Sequence, residues 1–323
     1  MSDQKILWGD EKHLTVLPDA TPVPSAILDG AHTQNKERSA VVSLDLRDKV
    51  PYKPVLSSDL KTLTVRLYYT ISNLDRIRYD TAGGTAFLRQ VRWSQPEKET
   101  TDIQIEAKEK IWGYELKYDG GRLFCEIFFM PKLKKSWNPW SELTIAVDPG
   151  HSQMTGDGAV SPKGFKEGEV NYRISECLKR KLEKLGAKVF MTREIQEYVS
   201  LPDRGKRAIA AGADLFISVH TNAVPDGVNP MTRGGFSVFY FQPNGLDLAR
   251  AVHDEFKKTV KLNDDGFYYG NLAVCRVTRI PSILTESAFL IRPDEEELLL
   301  DPGFQCRCAE AIARGVQNFI KSY

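Results

Sequence analysis

The sequence predicts a small all-β, sandwich-like domain followed by an α/β domain whose mostly parallel sheet carries helices on both faces. Three observations carry this. Apolar residues recur at every second position between about Val41 and Met130, short apolar strands alternate with amphipathic helices from Leu143 onward, and an aperiodic stretch, Pro131–Glu142, lies between them.

In order along the chain, residues 1–38 hold Pro22, Pro24 and scattered charge without a sustained period, and are expected to form a mobile lead-in. Residues 39–138 form the β domain. Its strands are marked by Leu63, Val65, Leu67 and Tyr69, by Trp112, Tyr114, Leu116 and Tyr118, and by Leu123, Cys125, Ile127 and Phe129. Asp119-Gly120-Gly121-Arg122 joins the last two runs as a tight hairpin, because Asp-Gly tolerates the positive φ angles of such a turn. The aromatic residues of this domain are read first as packing between sheets.

Residues 139–323 form the α/β domain. Strand Leu143–Val147 leads to a helix that buries Val170, Ile174, Cys177, Leu178, Leu182 and Leu185 and stops at Gly186. Strand Lys188–Met191, helix Pro202–Ala211, and strands Asp214–Val219 and Phe236–Phe241 follow. A helix presenting Ala249, Val252, Phe256 and Val260, strand Ser282–Thr285, and a helix presenting Cys308, Ile312, Val316 and Phe319 complete it. Ligands of such a sheet bind beyond the carboxyl ends of its strands.

Composition excludes several classes. The 44 Lys and Arg against 43 Asp and Glu leave a net charge of +1, which gives no global pull toward nucleic acid or an anionic membrane. No apolar run approaches the roughly 20 residues of a bilayer span. Met1–Lys5 leads into polar sequence rather than the apolar core of a secretion signal, so no export signal is visible. The 5 cysteines lack a CxxC pair and are expected to be mostly buried thiols. Cys306 and Cys308, two apart on a helix, diverge by about 200° and are poorly placed to share an ion.

Chemistry concentrates where three strands end: Asp148-Pro149-Gly150-His151, His220-Thr221-Asn222 and Thr285-Glu286. Of the 5 histidines, His151 and His220 both stand at strand ends within one domain, whereas His13, His32 and His253 do not. Two imidazoles and one carboxylate suffice for a catalytic zinc, which keeps its fourth position for water. The acid should open the first helix, and position alone admits Glu167 or Glu169, although acids in a first helical turn also simply favour the helix dipole.

These segments, with Glu167-Gly168-Glu169-Val170-Asn171, Met191-Thr192-Arg193, Ala213–Ala223 and Pro281–Leu290, resemble the N-acetylmuramoyl-L-alanine amidases of the amidase 3 group across Leu143–Ile320. The resemblance implies a zinc-dependent hydrolase acting on peptidoglycan in the cell envelope, periplasmic or extracellular. It implies His151, Glu167 and His220 as zinc ligands, Glu167 being preferred over Glu169 by its spacing from Val170-Asn171, and Glu286 as catalytic acid/base. Asn222 and Arg193 are expected to meet substrate. Ala210 and Ser287 depart from the family pattern, where Asn and Gly are usual. Lys261–Ala273 is too short for the helix with which some members block their site, so no activator is expected. The β domain is a possible cell-wall-binding module.

A zinc carboxypeptidase would take two ligands from His-x-x-Glu, but Met154 stands where that Glu belongs. A non-catalytic wall-binding protein is the other alternative, set against four filled chemical positions.

Overall fold

Alternation of apolar and polar residues builds the first of two units, Met1–Phe129. The computed structural model describes residues 25–80, 87–133, 138–154 and 157–323. Strands β1 (Ala26–Asn35), β2 (Ser39–Leu46), β5 (Thr70–Ser72), β8 (Gly113–Asp119) and β9 (Arg122–Phe128) form one sheet, in the order β5-β1-β2-β9-β8. Strands β3 (Tyr52–Leu56), β4 (Thr62–Tyr68), β6 (Leu88–Glu97) and β7 (Thr100–Ala107) form the other, in the order β3-β4-β7-β6. Leu28, Val42, Leu44, Cys125 and Ile127 of the first sheet join Leu63, Val65, Leu67, Ile103 and Ile105 of the second in one core. The expected hairpin joins β8 to β9: Asp119 faces Arg122, and Gly120 and Gly121 have φ of 51° and 80°.

One expectation is corrected here. The lead-in expected over residues 1–38 is a strand from Ala26 to Asn35, whereas residues 1–24 lie outside the described residues. Its inward positions are Ala26, Leu28, Ala31 and Thr33, and a register shift between Leu28 and Gly30 moves the phase by one residue. A bulge and small inward side chains erased the period-two signal.

The second unit, Met130–Tyr323, alternates strand and helix. It comprises β10 (Thr144–Pro149), α1 (Glu167–Lys184), β11 (Lys188–Met191), α2 (Leu201–Ala210), β12 (Leu215–Asn222) and β13 (Phe236–Tyr240). After these come α3 (Leu246–Thr259), β14 (Asp264–Tyr269), β15 (Ser282–Phe289), α4 (Pro293–Leu300) and α5 (Pro302–Lys321). The sheet order is β11-β10-β12-β15-β13-β14, and every neighbouring pair is parallel except β13 with β15. Leu215–Thr221 of β12 are all buried, as a central strand covered on both faces requires. Helix α1 buries Val170, Ile174, Cys177, Leu178 and Leu182, and Gly186 ends it with φ 98°. Asp301 caps α5, accepting hydrogen bonds from the backbone N–H of Gly303 and Phe304.

Two features of this unit were not expected. Strand β14 occupies Asp264–Tyr269, where two Asp and a Gly dilute the strand signal. Cys177 on α1 and Cys306 on α5 form a disulfide across 129 residues of sequence, which replaces two of the expected thiols. Cys125, Cys275 and Cys308 are free and buried. Such a long closed loop restricts the unfolded chain and stabilises the fold by about 4–5 kcal/mol in the chain-entropy account. Denatured, unreduced protein is therefore expected to titrate three thiols, and five after reduction; five before reduction would refute the bridge.

Lys134, Lys135 and Trp137 of the expected junction lie outside the described residues. Among the described residues no helix is long and apolar enough to cross a membrane.

Candidate active site

Strands β10, β12 and β15 are mutually parallel neighbours, so their carboxyl ends share one edge of the sheet. Beyond β10, His151 adopts a left-handed backbone with φ 54°, a conformation that costs a non-glycine residue roughly 1–2 kcal/mol. The turn brings its imidazole back to the first turn of α1. There Glu167 lies between two imidazoles: Oε2 is 3.4 Å from His151 Nε2, and Oε1 is 3.2 Å from His220 Nδ1. The two rings meet edge to face, with centroids 4.9 Å apart. One donor atom from each of the three residues lies within 4.8 Å of the others. Ligands about 2.1 Å from a tetrahedral zinc stand about 3.4 Å from one another, so the donor set fits that ion in chemistry and spacing.

Charge at the cluster favours a cation. Burial opposes a proton on His220, but the hydrogen bond it donates to Glu167 and the charges of Glu286, Glu167 and Asp148 outweigh it and raise its pKa. The field that retains a proton there would also retain a metal ion. Burial lowers the pKa of His151, leaving its imidazole neutral, the form that binds metal. Burial works against the Glu167 carboxylate, yet the two imidazoles and the Ala159 N–H hold its pKa below the ordinary carboxylate range.

A supporting layer fixes the donors. His220 Nε2 lies 3.1 Å from Ser218 Oγ, which donates to Asp148 Oδ2 at 2.6 Å. Asp148 also accepts from the Thr192 hydroxyl and from Arg204 Nη1 at 2.9 Å. With the Ser218 proton committed to Asp148, His220 Nε2 is the donor to Ser218, and Nδ1 is left toward Glu167 as the ligating nitrogen. Asn171 donates to Glu167 Oε1 at 3.1 Å, and Ala159 N–H donates to Oε2 at 2.9 Å. Gly150 must lack a side chain, since a Cβ there would stand 2.3–2.5 Å from the His220 ring.

Glu286 follows the apolar residues of β15 and pairs in register with His220. It is half-buried, and its buried Oε2 has no hydrogen-bond partner among the described residues. Burial, reinforced by the charges of Glu167 and Asp265 against the pull of His220, raises its pKa to about 8.

The other expected positions diverge. Glu169 pairs with Arg173 one helical turn on and is not part of the cluster. Asn222 ends β12, half-buried, its side-chain oxygen accepting from Ala223 N–H at 2.8 Å, so its amide NH2 is the group left to meet a ligand. Arg193, expected at the substrate, is only 1% exposed. Its guanidinium donates to the carbonyls of Pro149, Gly150, Gly168, Glu194 and Ile195. These bonds tie the His151 turn to the start of α1. The reason for the difference is that the backbone carbonyls gathered at this turn need donors, and a buried Arg satisfies several at once, sharing Pro149 with Arg204 and Gly150 with Asn171. Nor does Arg193 form the ion pair with Glu286 that a structural role for that acid would need.

His32 pairs with Asp45 and His253 with Asp264, both apart from the cluster, and His13 lies outside the described residues. The Asp148–Arg204 pair and the part played by Ser218 had no sequence signal of their own, although Asp148 and Ser218 lie in the motif segments.

The family model for N-acetylmuramoyl-L-alanine amidases matches residues 145–318, more than half of the chain. The chain belongs to that family. One relative, the probable cell wall amidase LytH of Staphylococcus epidermidis, is 32% identical over 189 residues, covering 58% of this chain. The match spans 62% of that relative's length. Among solved structures, an N-acetylmuramoyl-L-alanine amidase from Clostridium difficile is similar at TM-score 0.53 and 31% identity, covering 56% of this chain and 98% of that one. The CwlD amidase from Clostridioides difficile, solved in complex with the GerS lipoprotein, is similar at TM-score 0.50 and 26% identity, covering 56% and 100%. The matched region of this amidase-family chain contains the three clustered donors, His151, Glu167 and His220, together with Glu286.

Proposed function

We propose that the chain hydrolyses the amide bond between N-acetylmuramic acid and L-alanine in peptidoglycan, using a zinc ion held by His151, Glu167 and His220. The observation that supports this most is the gathering of two imidazoles and a carboxylate about one point, with the unpartnered Glu286 carboxyl beside them, in a chain of an amidase family. When bound, zinc supplies Lewis acidity to the scissile carbonyl and the attacking water. Glu286 accepts the proton of that water and delivers it to the amide nitrogen as the C–N bond breaks. L-alanine then leaves as an amine, and the muramic acid keeps the carboxylate. The amide of Asn222, at the end of β12, binds the substrate.

In this reading the second unit, Met130–Tyr323, carries the chemistry and the β-rich unit before it holds the chain on the wall. No activator is required: residues 261–273 consist of β14 and its flanks, too short a segment for a blocking helix. The GerS partner belongs to the CwlD complex. The protein works in the cell envelope, outside the cytosol, and the Cys177–Cys306 disulfide supports that, because such bonds persist in oxidising compartments.

The test is digestion of purified peptidoglycan by the chain alone, with and without a chelator. Released stem peptides are expected to begin with free L-alanine, with release abolished by the chelator and restored by zinc. The chain cut to residues 130–323 is expected to cleave soluble muropeptides at the full rate and intact sacculi more slowly. Release of any other terminus, or none until a second protein is added, would overturn the reading.

A further inference from the structure

Two buried oxygen atoms on neighbouring strands lack partners. Ser237 of β13 lies directly opposite Glu286 of β15 in the antiparallel pair, and Glu286 is in register with His220 of β12. Residues opposite each other in a sheet project from the same face, with Cβ atoms about 4.5–5.5 Å apart in an antiparallel pair. His220, Glu286 and Ser237 thus form a row across three adjacent strands. Gly266 continues it on β14, opposite Ser237, where the Tyr268 ring folds over the glycine without hydrogen-bonding the Ser237 hydroxyl. Ser237 is fully buried, and its Oγ, like Glu286 Oε2, has no hydrogen-bond partner. A buried hydroxyl without a partner costs stability, and Ala would fill the position among Phe236 and Val238 without that cost. Ser287, the other orphaned hydroxyl nearby, is one residue past Glu286 and so projects from the opposite face.

We infer that Ser237 is a positioning residue for the catalytic acid/base: the two side chains are not hydrogen-bonded to each other in this structure, and a turn of Ser237 about χ1 brings its hydroxyl to one oxygen of Glu286 so that the other faces the attacking water. A serine suits this task because its O–H rotates freely. It donates to one oxygen of Glu286 while that group is a carboxylate, and still does so once the water's proton has arrived on the other oxygen. The bond keeps its direction, so Glu286 keeps one orientation through proton uptake and release. The inference rests on the amidase reading above and adds to it a residue that touches neither the metal site nor the substrate.

The experiment compares the wild-type chain with Ser237→Ala, Ser237→Cys and Ser237→Thr on soluble muropeptides, recording kcat, KM, zinc content and Tm. Loss of a hydrogen bond to a charged group should lower kcat about tenfold or more in the Ala and Cys variants, with KM and zinc content unchanged. The Tm of Ser237→Ala should match or exceed that of wild type, since no structural partner is lost, whereas a merely structural hydroxyl would lower it. Thr keeps the hydroxyl and should restore most of the lost kcat. Added to Glu286→Gln, the Ala change should cause no further loss. The near-isosteric Cys variant carries the test if Ala does not fold. A kcat within twofold of wild type in the Ala or Cys variant overturns the assignment, as does a loss confined to KM or zinc content. Should the wild-type chain release no stem peptide, the amidase reading fails and this assignment with it; an active wild type with an unaffected Ser237→Ala fails the assignment alone.

Discussion

Glu286→Gln is expected to lower kcat by about a thousandfold while each chain still binds one zinc, because a general base of this kind contributes about 10²- to 10⁴-fold. Gln has the shape of Glu but cannot take a proton from water, and Glu286 is not one of the three clustered donors. Activity of wild type should therefore follow the ionised fraction of Glu286 and fall as pH drops. In the metal-free protein burial raises that pKa to about 8, and a bound cation draws it down, so the limb in the active enzyme lies below that value. Stability in the chelated protein has the opposite slope. The folded carboxyl is protonated up to about pH 8 and the unfolded one only to about 4.5, so the native state holds the extra proton between them. The contribution of this group is thus fully present below pH 4.5 and is lost as pH rises toward 8. The Tm of chelated wild type should drop across that window relative to chelated Glu286→Gln. Full turnover in the Gln variant, or parallel Tm profiles, would exclude Glu286 from this role.

The residues that made the site legible all stand where an apolar run stops. Ile217-Ser218-Val219 delivers His220 and Ile283-Leu284-Thr285 delivers Glu286, so the parallel sheet and the edge carrying its chemistry could be read together. Between Glu167 and Glu169, helical position alone could not choose. Residues two apart face different sides of α1, and only the fold shows that Glu169 pairs with Arg173 while Glu167 turns inward. Arg193 was misjudged for a related reason: an Arg in a motif can recognise a ligand or satisfy backbone carbonyls, and burial separates the two. Strand β1 was hidden by its bulge at Leu28–Gly30, and the disulfide by the 129 residues between its halves. The Ser218–Asp148–Arg204 support is likewise long-range, joining β12, β10 and α2, and no local spacing encodes it.

His220→Ala is expected to remove zinc and all zinc-dependent activity, with an effect larger than that of any substitution in the supporting layer. His220 Nδ1 faces Glu167, and its Nε2 is the group that Ser218 and Asp148 hold. Deleting the ring therefore removes one ligand and leaves the buried Ser218 without that contact. With two donors remaining, the site lacks the three protein ligands of a catalytic zinc. Metal that binds only the folded chain stabilises it by about 4 kcal/mol at a thousandfold excess over the dissociation constant. Wild type should accordingly gain Tm on zinc addition, and His220→Ala should show no gain at any zinc level that leaves the chain soluble. His32→Ala serves as the control, since His32 belongs to the β-rich unit and pairs with Asp45, and its zinc response should equal that of wild type. A His220→Ala chain that still takes up one zinc with an undiminished Tm gain would remove His220 from the ligand set. It would also leave the negative charge that surrounds that imidazole without a cation to explain it.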